Sequence, residues 1–241
     1  MCFSAEADLV MGVAVGAVGV DALRHVRRPR ELAVASLPAL LAAHQLTEVF
    51  VWSDLHSRTP QTGTGPAISV YAVVAFVLVP AFIPAAVLAI EPAGDRRRLM
   101  APFAVLGALV AMAYAGALSH QPVVATIAGH HISYDTGLTP GGVMAGLYVI
   151  AVCVPLFASS YPHLVLFGLA NAVAVAVLIW MSQEELTSLW CAWAAVTSVV
   201  IDGHLRVVHA SGGFADRRPA VDRGGRADAH QHPFNEPGAC T

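Results

Sequence analysis

Residues 43–56 read Ala-His-Gln-Leu-Thr-Glu-Val-Phe-Val-Trp-Ser-Asp-Leu-His, so His44, Glu48, Trp52 and His56 follow one another at intervals of four. On a helix that spacing puts all four on one face. The types assembled there are a carboxylic acid, two imidazoles and an indole. They suit proton donation to a substrate whose cationic intermediates an aromatic ring can stabilise.

The stripe lies in an apolar segment, where insertion of a carboxylate costs about 2.5–3.5 kcal/mol at mid-membrane depth, so Glu48 is expected to face the interior of a helix bundle and find a partner. Desolvation favours the neutral form of a carboxyl group held in such a place, and a neutral acid in a dry chamber can serve as a Brønsted acid. A second reading fits the same residues: Glu48 hydrogen-bonds to His44 or to another helix and serves only as packing glue.

Ser188-Leu-Trp-Cys-Ala-Trp193 forms a second aromatic set. Trp190 and Trp193 are either interfacial anchors or, turned inward beside Trp52, π faces for a cation. Asn171 is a candidate interior hydrogen-bond donor. Asp202, close to His204 and Arg206, is expected to form a local ion pair or a membrane-surface contact. The segment holding His120, His130, His131, Tyr134 and Asp135 either caps the bundle or is a solvated connector.

The elements that must position these residues are membrane helices. Of 241 residues, 56% are hydrophobic and 12% charged, and apolar runs of about 20 residues, the length that crosses a bilayer core, recur along the chain. Seven transmembrane spans are expected, at 7–23, 33–55, 67–90, 99–118, 141–158, 163–181 and 186–208, forming an all-α bundle over residues 1–209. Residues 210–241 turn to Gly, Asp, Arg, His and Pro and are expected to be a disordered cytoplasmic tail. The acidic start, Met-Cys-Phe-Ser-Ala-Glu-Ala-Asp, lacks the basic region of a cleaved signal.

Orientation follows from arginine. Arg24, Arg27, Arg28, Arg30, Arg96, Arg97, Arg98, Arg206, Arg217, Arg218, Arg223 and Arg226 fall on one side if the span count is odd and the N-terminus lies outside; only Arg58 falls on the other. The protein is therefore expected to be a multi-pass protein of the cell membrane. Pro38, Pro80, Pro84, Pro102 and Pro155 predict kinks that neighbouring helices tolerate, and Gly12, Gly16 and Gly19 predict close helix packing.

Composition also excludes chemistry. All 13 basic residues are arginine, so no lysine can form a Schiff base with retinal or pyridoxal phosphate. Four scattered cysteines, Cys2, Cys153, Cys191 and Cys240, write neither a zinc knuckle nor a disulfide framework. The net charge of -3, with cations segregated by loop, gives no nucleic-acid face.

The opening Met-Cys-Phe-Ser-Ala, the segment from Leu23 to Glu31, His44-Gln-Leu-Thr-Glu48 and Ser188-Leu-Trp-Cys-Ala resemble a multi-span membrane family frequent in actinobacteria, a resemblance that implies topology and no chemistry. More distantly, the chain is similar in length and helix count to the small seven-helix membrane terpene cyclases of meroterpenoid and indole-terpenoid pathways. That resemblance implies an acid-initiated reaction, with Glu48 as proton donor and Asp202 as a second acid. The expected function is cyclisation of a prenylated, lipid-soluble substrate without metal or other cofactor, with His44 orienting the acid and Trp52, Trp190, Trp193 and Asn171 lining the substrate. Two other classes stay open. One is a metal-dependent membrane hydrolase using His44, Glu48, His56 and the histidines at 120, 130 and 131; the other is a non-enzymatic transporter or sensor.

Overall fold

The computed structural model describes residues 4–129, 131–138, 141–162, 164–166, 168–169, 172–173, 198–203 and 206–207. Helix α1 spans Ala5–Arg24. Ser4 caps it by accepting from the Ala7 N–H at 3.3 Å, with Glu6 and Asp8 in the first turn and Arg24 in the last, the arrangement a helix dipole favours. The chain reverses through a 3-10 turn, Pro29–Glu31, and a short helix α2, Leu32–Ala35, into α3, Leu37–His56. Glu31 holds the reversal, its Oε2 accepting from the backbone N–H groups of Arg27 and Arg28 at 3.1 and 3.2 Å.

Helices α1 and α3 run antiparallel in close contact. A Cβ on Gly19 would sit 2.8 Å from the Ala39 nitrogen, one on Gly12 would meet the Leu46 side chain, and one on Gly16 would lie 3.6 Å from Ala42. The small residues expected to allow close approach do so, and they set the register that faces Asp8 to Trp52.

Helix α4, Pro66–Ala72, continues through a π-helical stretch, Val73–Leu78, into α5, Val79–Ile90. The widened turn ends at Pro80. In the i→i+5 pattern, the Val79 N–H donates to the Val74 carbonyl, so the next carbonyl, Ala75, faces a proline that has no N–H to give. The Tyr148 hydroxyl supplies it at 3.1 Å. Helix α6, Asp95–His120, crosses α5 where Gly107 meets the Pro80 carbonyl, and α7 is Gly141–Ala158. At the exit of α7, buried Glu91 accepts from the Ser159 hydroxyl at 3.1 Å, the Ser160 N–H at 3.0 Å and the Ser160 hydroxyl.

Between α6 and α7 lies a small sheet in place of plain loop. Strands β2, Val124–Ala128, and β3, His131–Asp135, form an antiparallel hairpin, and β1, Thr62–Gly63, pairs with β2 through Thr62 to Thr126 and Gly63 to Ala125. Val123, Ala125 and Ile132 pack into a core with Val51, Trp52, Leu55, Ile68 and Tyr71. The bundle thus has a hairpin end and an arginine end, the latter carrying Arg24 at the close of α1, Arg27 to Arg30 in the reversal and Arg96 to Arg98 in the first turn of α6.

Four segments among the described residues are long and apolar enough to cross a membrane: Pro29–His56, Pro66–Ile90, Asp95–His120 and Gly141–Ala158. They match the expected second to fifth spans. The expected first span is α1, a helix of sufficient length that carries Glu6, Asp8, Asp21 and Arg24 in its 20 residues. Most of the sixth and seventh, and all of the tail 210–241, lie outside the described residues. Large apolar side chains also lie on the outer faces, Val10 and Phe50 each 66% exposed, while Asp8, Gln45 and Glu48 are buried, the distribution expected of helices whose outer faces meet lipid.

Candidate functional site

The register of α3 turns His44, Glu48 and Trp52 inward, while His56, one turn further, emerges at the hairpin end. Glu48 is 0% exposed. His56 stacks on Trp52 with ring centroids 5.3 Å apart, and its Nδ1 lies 2.9 Å from the Trp52 carbonyl oxygen.

Helix α1 contributes a residue that the sequence reading did not select. Asp8 is also 0% exposed, and its Oδ2 accepts from the Trp52 indole N–H at 3.0 Å. Its other oxygen, Oδ1, finds no hydrogen-bond partner among the described residues. Asp8 precedes Gly12 and Gly16 at intervals of four, so it belongs to the same packing face. That periodicity was the signal available for it.

The hairpin supplies the lid and one more functional group. Tyr134 on β3 directs its hydroxyl at Glu48 Oε1, 3.5 Å away, and its ring stacks on Tyr71 of α4 at 4.3 Å and 11°. Tyr71 in turn stacks on His44 at 4.0 Å and 26°. Burial, with Tyr71 and Glu48 alongside, holds the Tyr134 phenol well above its usual range, so it stays a hydroxyl donor. His44 Nδ1 has no hydrogen-bond partner among the described residues. The segment expected either to cap the bundle or to act as a connector is a cap, and Tyr71 is a member of the site that no spacing announced.

The result is a ring of groups contributed by four elements: Asp8 from α1; His44, Glu48 and Trp52 from α3; Tyr71 from α4; Tyr134 from β3. It can hold a carboxylic acid against three aromatic rings.

Other expected members fall elsewhere. Asp202 is at the arginine end, where the Arg206 Nε donates to its Oδ2 at 2.7 Å and the Arg206 guanidinium also pairs with Asp21. Asp21 follows Asp8 by 13 residues on α1, about 20 Å at 1.5 Å per residue, so the structure does not bring Asp202 to Glu48. Asn171, Trp190, Trp193 and His130 lie outside the described residues. For the metal reading, His44 and His56 are 12 residues apart on one helix, about 18 Å, and exposed His120 ends α6. Among the described residues, the ligand atoms that cluster closely are those of Asp21, His25 and Asp202, at the opposite end from Glu48.

A model for a family of unknown function (DUF6629) matches residues 1–214. No curated protein and no solved structure matches the chain.

Proposed function

The chain belongs to the DUF6629 family, whose match takes in every helix and strand of the site, and on that premise we propose a membrane enzyme in which Glu48 protonates a prenylated, lipid-soluble substrate and so starts its cyclisation. The observation that carries the reading is the complete burial of the Glu48 carboxyl beside aromatic rings, with the Tyr134 hydroxyl directed at one of its oxygens.

The chemistry balances within the chain. Glu48 gives its proton to a terminal alkene carbon or an epoxide oxygen, and the cation that develops is attacked by the π electrons of a second double bond, which forms the ring carbon–carbon bond. Loss of a proton from carbon regenerates an alkene, and the proton returns to the carboxylate, directly or through His44. The atoms of substrate and product are the same. Trp52 and Tyr134 present ring faces to the cation, with Tyr71, stacked between His44 and Tyr134, holding them in place, the Tyr134 hydroxyl donates to the Glu48 carboxylate left after transfer, and the apolar bundle excludes water that would quench the cation. Trp190, Trp193 and Asn171 complete the lining in this proposal, and no metal or cofactor takes part.

The same proposal places the protein in the cell membrane with seven spans, the N-terminus outside and the tail inside. Its support is arginine placement: with α1 counted as a span, twelve of thirteen arginines share one side. The test of function is turnover of prenylated phenol or indole substrates, alkene and epoxide forms alike, by membranes containing the protein. Cyclised product is expected from the wild type and none from Glu48→Gln; a fully active variant overturns the assignment.

A second reading, proton relay by a transporter or sensor, is favoured by one observation, the burial of the two titratable groups His44 and Glu48 one turn apart within an apolar helix. Proteoliposomes showing pH-driven flux that depends on Glu48, with no turnover, would replace the cyclase by that class.

A further inference from the structure

Asp8 is a carboxyl group whose two oxygens have different fates. Oδ2 is fixed by the Trp52 indole at 3.0 Å, which locks the plane and direction of the head group. Oδ1 is fully buried and accepts nothing from the described residues. Buried acceptors in folded proteins are almost always satisfied, and leaving one bare costs about 1–3 kcal/mol. The bare oxygen belongs to the same hydrogen-bonded pair whose indole lies one turn from Glu48 along α3, so it lies near the acid that the proposed function invokes. The first-turn position in α1 and the Trp52 indole account for an acid here and for its Oδ2, but neither gives Oδ1 a partner.

We propose that Asp8 Oδ1 is the substrate's polar anchor: the molecule bound beside Glu48 carries a hydrogen-bond donor, a hydroxyl or an N–H, on an otherwise apolar prenylated body, and Asp8 accepts from it. The Trp52 indole positions Asp8 for this task. The inference rests on the proposed function for the identity of the chamber, and it narrows the substrate class to prenylated alcohols, phenols, indoles or amines, as against pure hydrocarbons and ethers. A site built around a bare acceptor rejects an analogue that lacks the donor because the acceptor is then left unpaired.

The test uses the purified full chain in detergent and three matched probes: farnesol, farnesylamine and farnesyl methyl ether. Binding is read from the change in intrinsic tryptophan emission of the unsubstituted chain, to which Trp52, whose N–H is held by the same carboxyl group, contributes. Farnesol or farnesylamine is expected to bind about tenfold or more tightly than the ether, the effect of one unpaired buried acceptor. An advantage confined to farnesylamine identifies an N–H source, and one confined to farnesol a hydroxyl source. In Asp8→Asn the amide oxygen still accepts from Trp52 while the NH2 replaces the bare acceptor with a donor, to which a hydroxyl and an ether oxygen can both give a lone pair, so the advantage of the donor probes over the ether is expected to disappear. The near-ultraviolet circular dichroism of the variant establishes that it is folded; if it is not, the wild-type ratio alone decides. Equal binding of donor and ether probes by the wild type, binding of none of them, or an unchanged order in a folded Asp8→Asn protein overturns the anchor. Discrimination without turnover would sink the cyclase reading and leave the anchor standing, whereas turnover without discrimination would do the reverse.

Discussion

Replacing Glu48 with glutamine keeps the shape of the side chain and removes its transferable proton, so it separates an acid from packing glue. A general acid contributes about 10²–10⁴-fold, so under the proposed function Glu48→Gln is expected to lower turnover of a prenylated substrate by at least that factor while the protein extracts and migrates as wild type. Tyr134→Phe removes only the hydroxyl directed at Glu48. The stacking on Tyr71 stays, so kcat is expected to fall about tenfold, one charge-assisted hydrogen bond, with KM little changed. Trp52→Phe retains an aromatic face and strips the N–H from Asp8 Oδ2. That leaves a second bare oxygen on a buried acid, and a loss of about 1–3 kcal/mol is expected, read from thermal unfolding in detergent.

At the scale of elements, close contacts make a ranking. A Cβ on Gly107 would collide with the Pro80 carbonyl oxygen, in rigid backbone, whereas nothing stands within 4 Å of one on Gly116 of the same helix. Gly107→Ala is expected to destabilise by about 1–3 kcal/mol and Gly116→Ala to be neutral or slightly stabilising, as judged by unfolding temperature. Tyr148→Phe belongs with them: it deprives the Ala75 carbonyl of its donor in the π-helical stretch.

How much of this was legible depends on the range of the interaction. The His44, Glu48, Trp52 face was readable because it is a periodicity within one helix. So was the tight contact at Gly12, Gly16 and Gly19. Asp8 was hidden by its place in an acidic N-terminus, although its interval from Gly12 put it on the contact face. Tyr134 was noticed in a polar segment, but a contact with a residue 86 positions away has no local signature. The hairpin escaped because Val124–Ala128 and His131–Asp135 are five residues each, too short to show a clear alternation. Pro80 and Pro84 announced a distortion between α4 and α5, yet nothing in them said that the turn would widen and that Tyr148 would satisfy it.

On the scale of the whole molecule, the two ends of the bundle differ in charge and in work. Arg96 donates to the Ser159 carbonyl at 2.9 Å and Glu91 gathers the Ser159 and Ser160 donors, so the arginine end is tied by polar contacts between loops. The hairpin end closes over Glu48 with apolar and aromatic side chains. In a background without the native cysteines, Asp95→Cys is expected to react with an impermeant maleimide only from the cytoplasmic side and Ser57→Cys only from outside. Labelling of both from one side would contradict the proposed orientation.

Deuterium transfer tests the account most directly. Membranes containing the wild-type protein, equilibrated in D2O and given a prenylated alkene substrate for a single turnover, are expected to yield a cyclised product with one deuterium at the carbon first protonated, and Glu48→Gln membranes to yield no such product. The same labelled product at the same rate from the glutamine variant would contradict the account, because the proton would then come from somewhere other than Glu48.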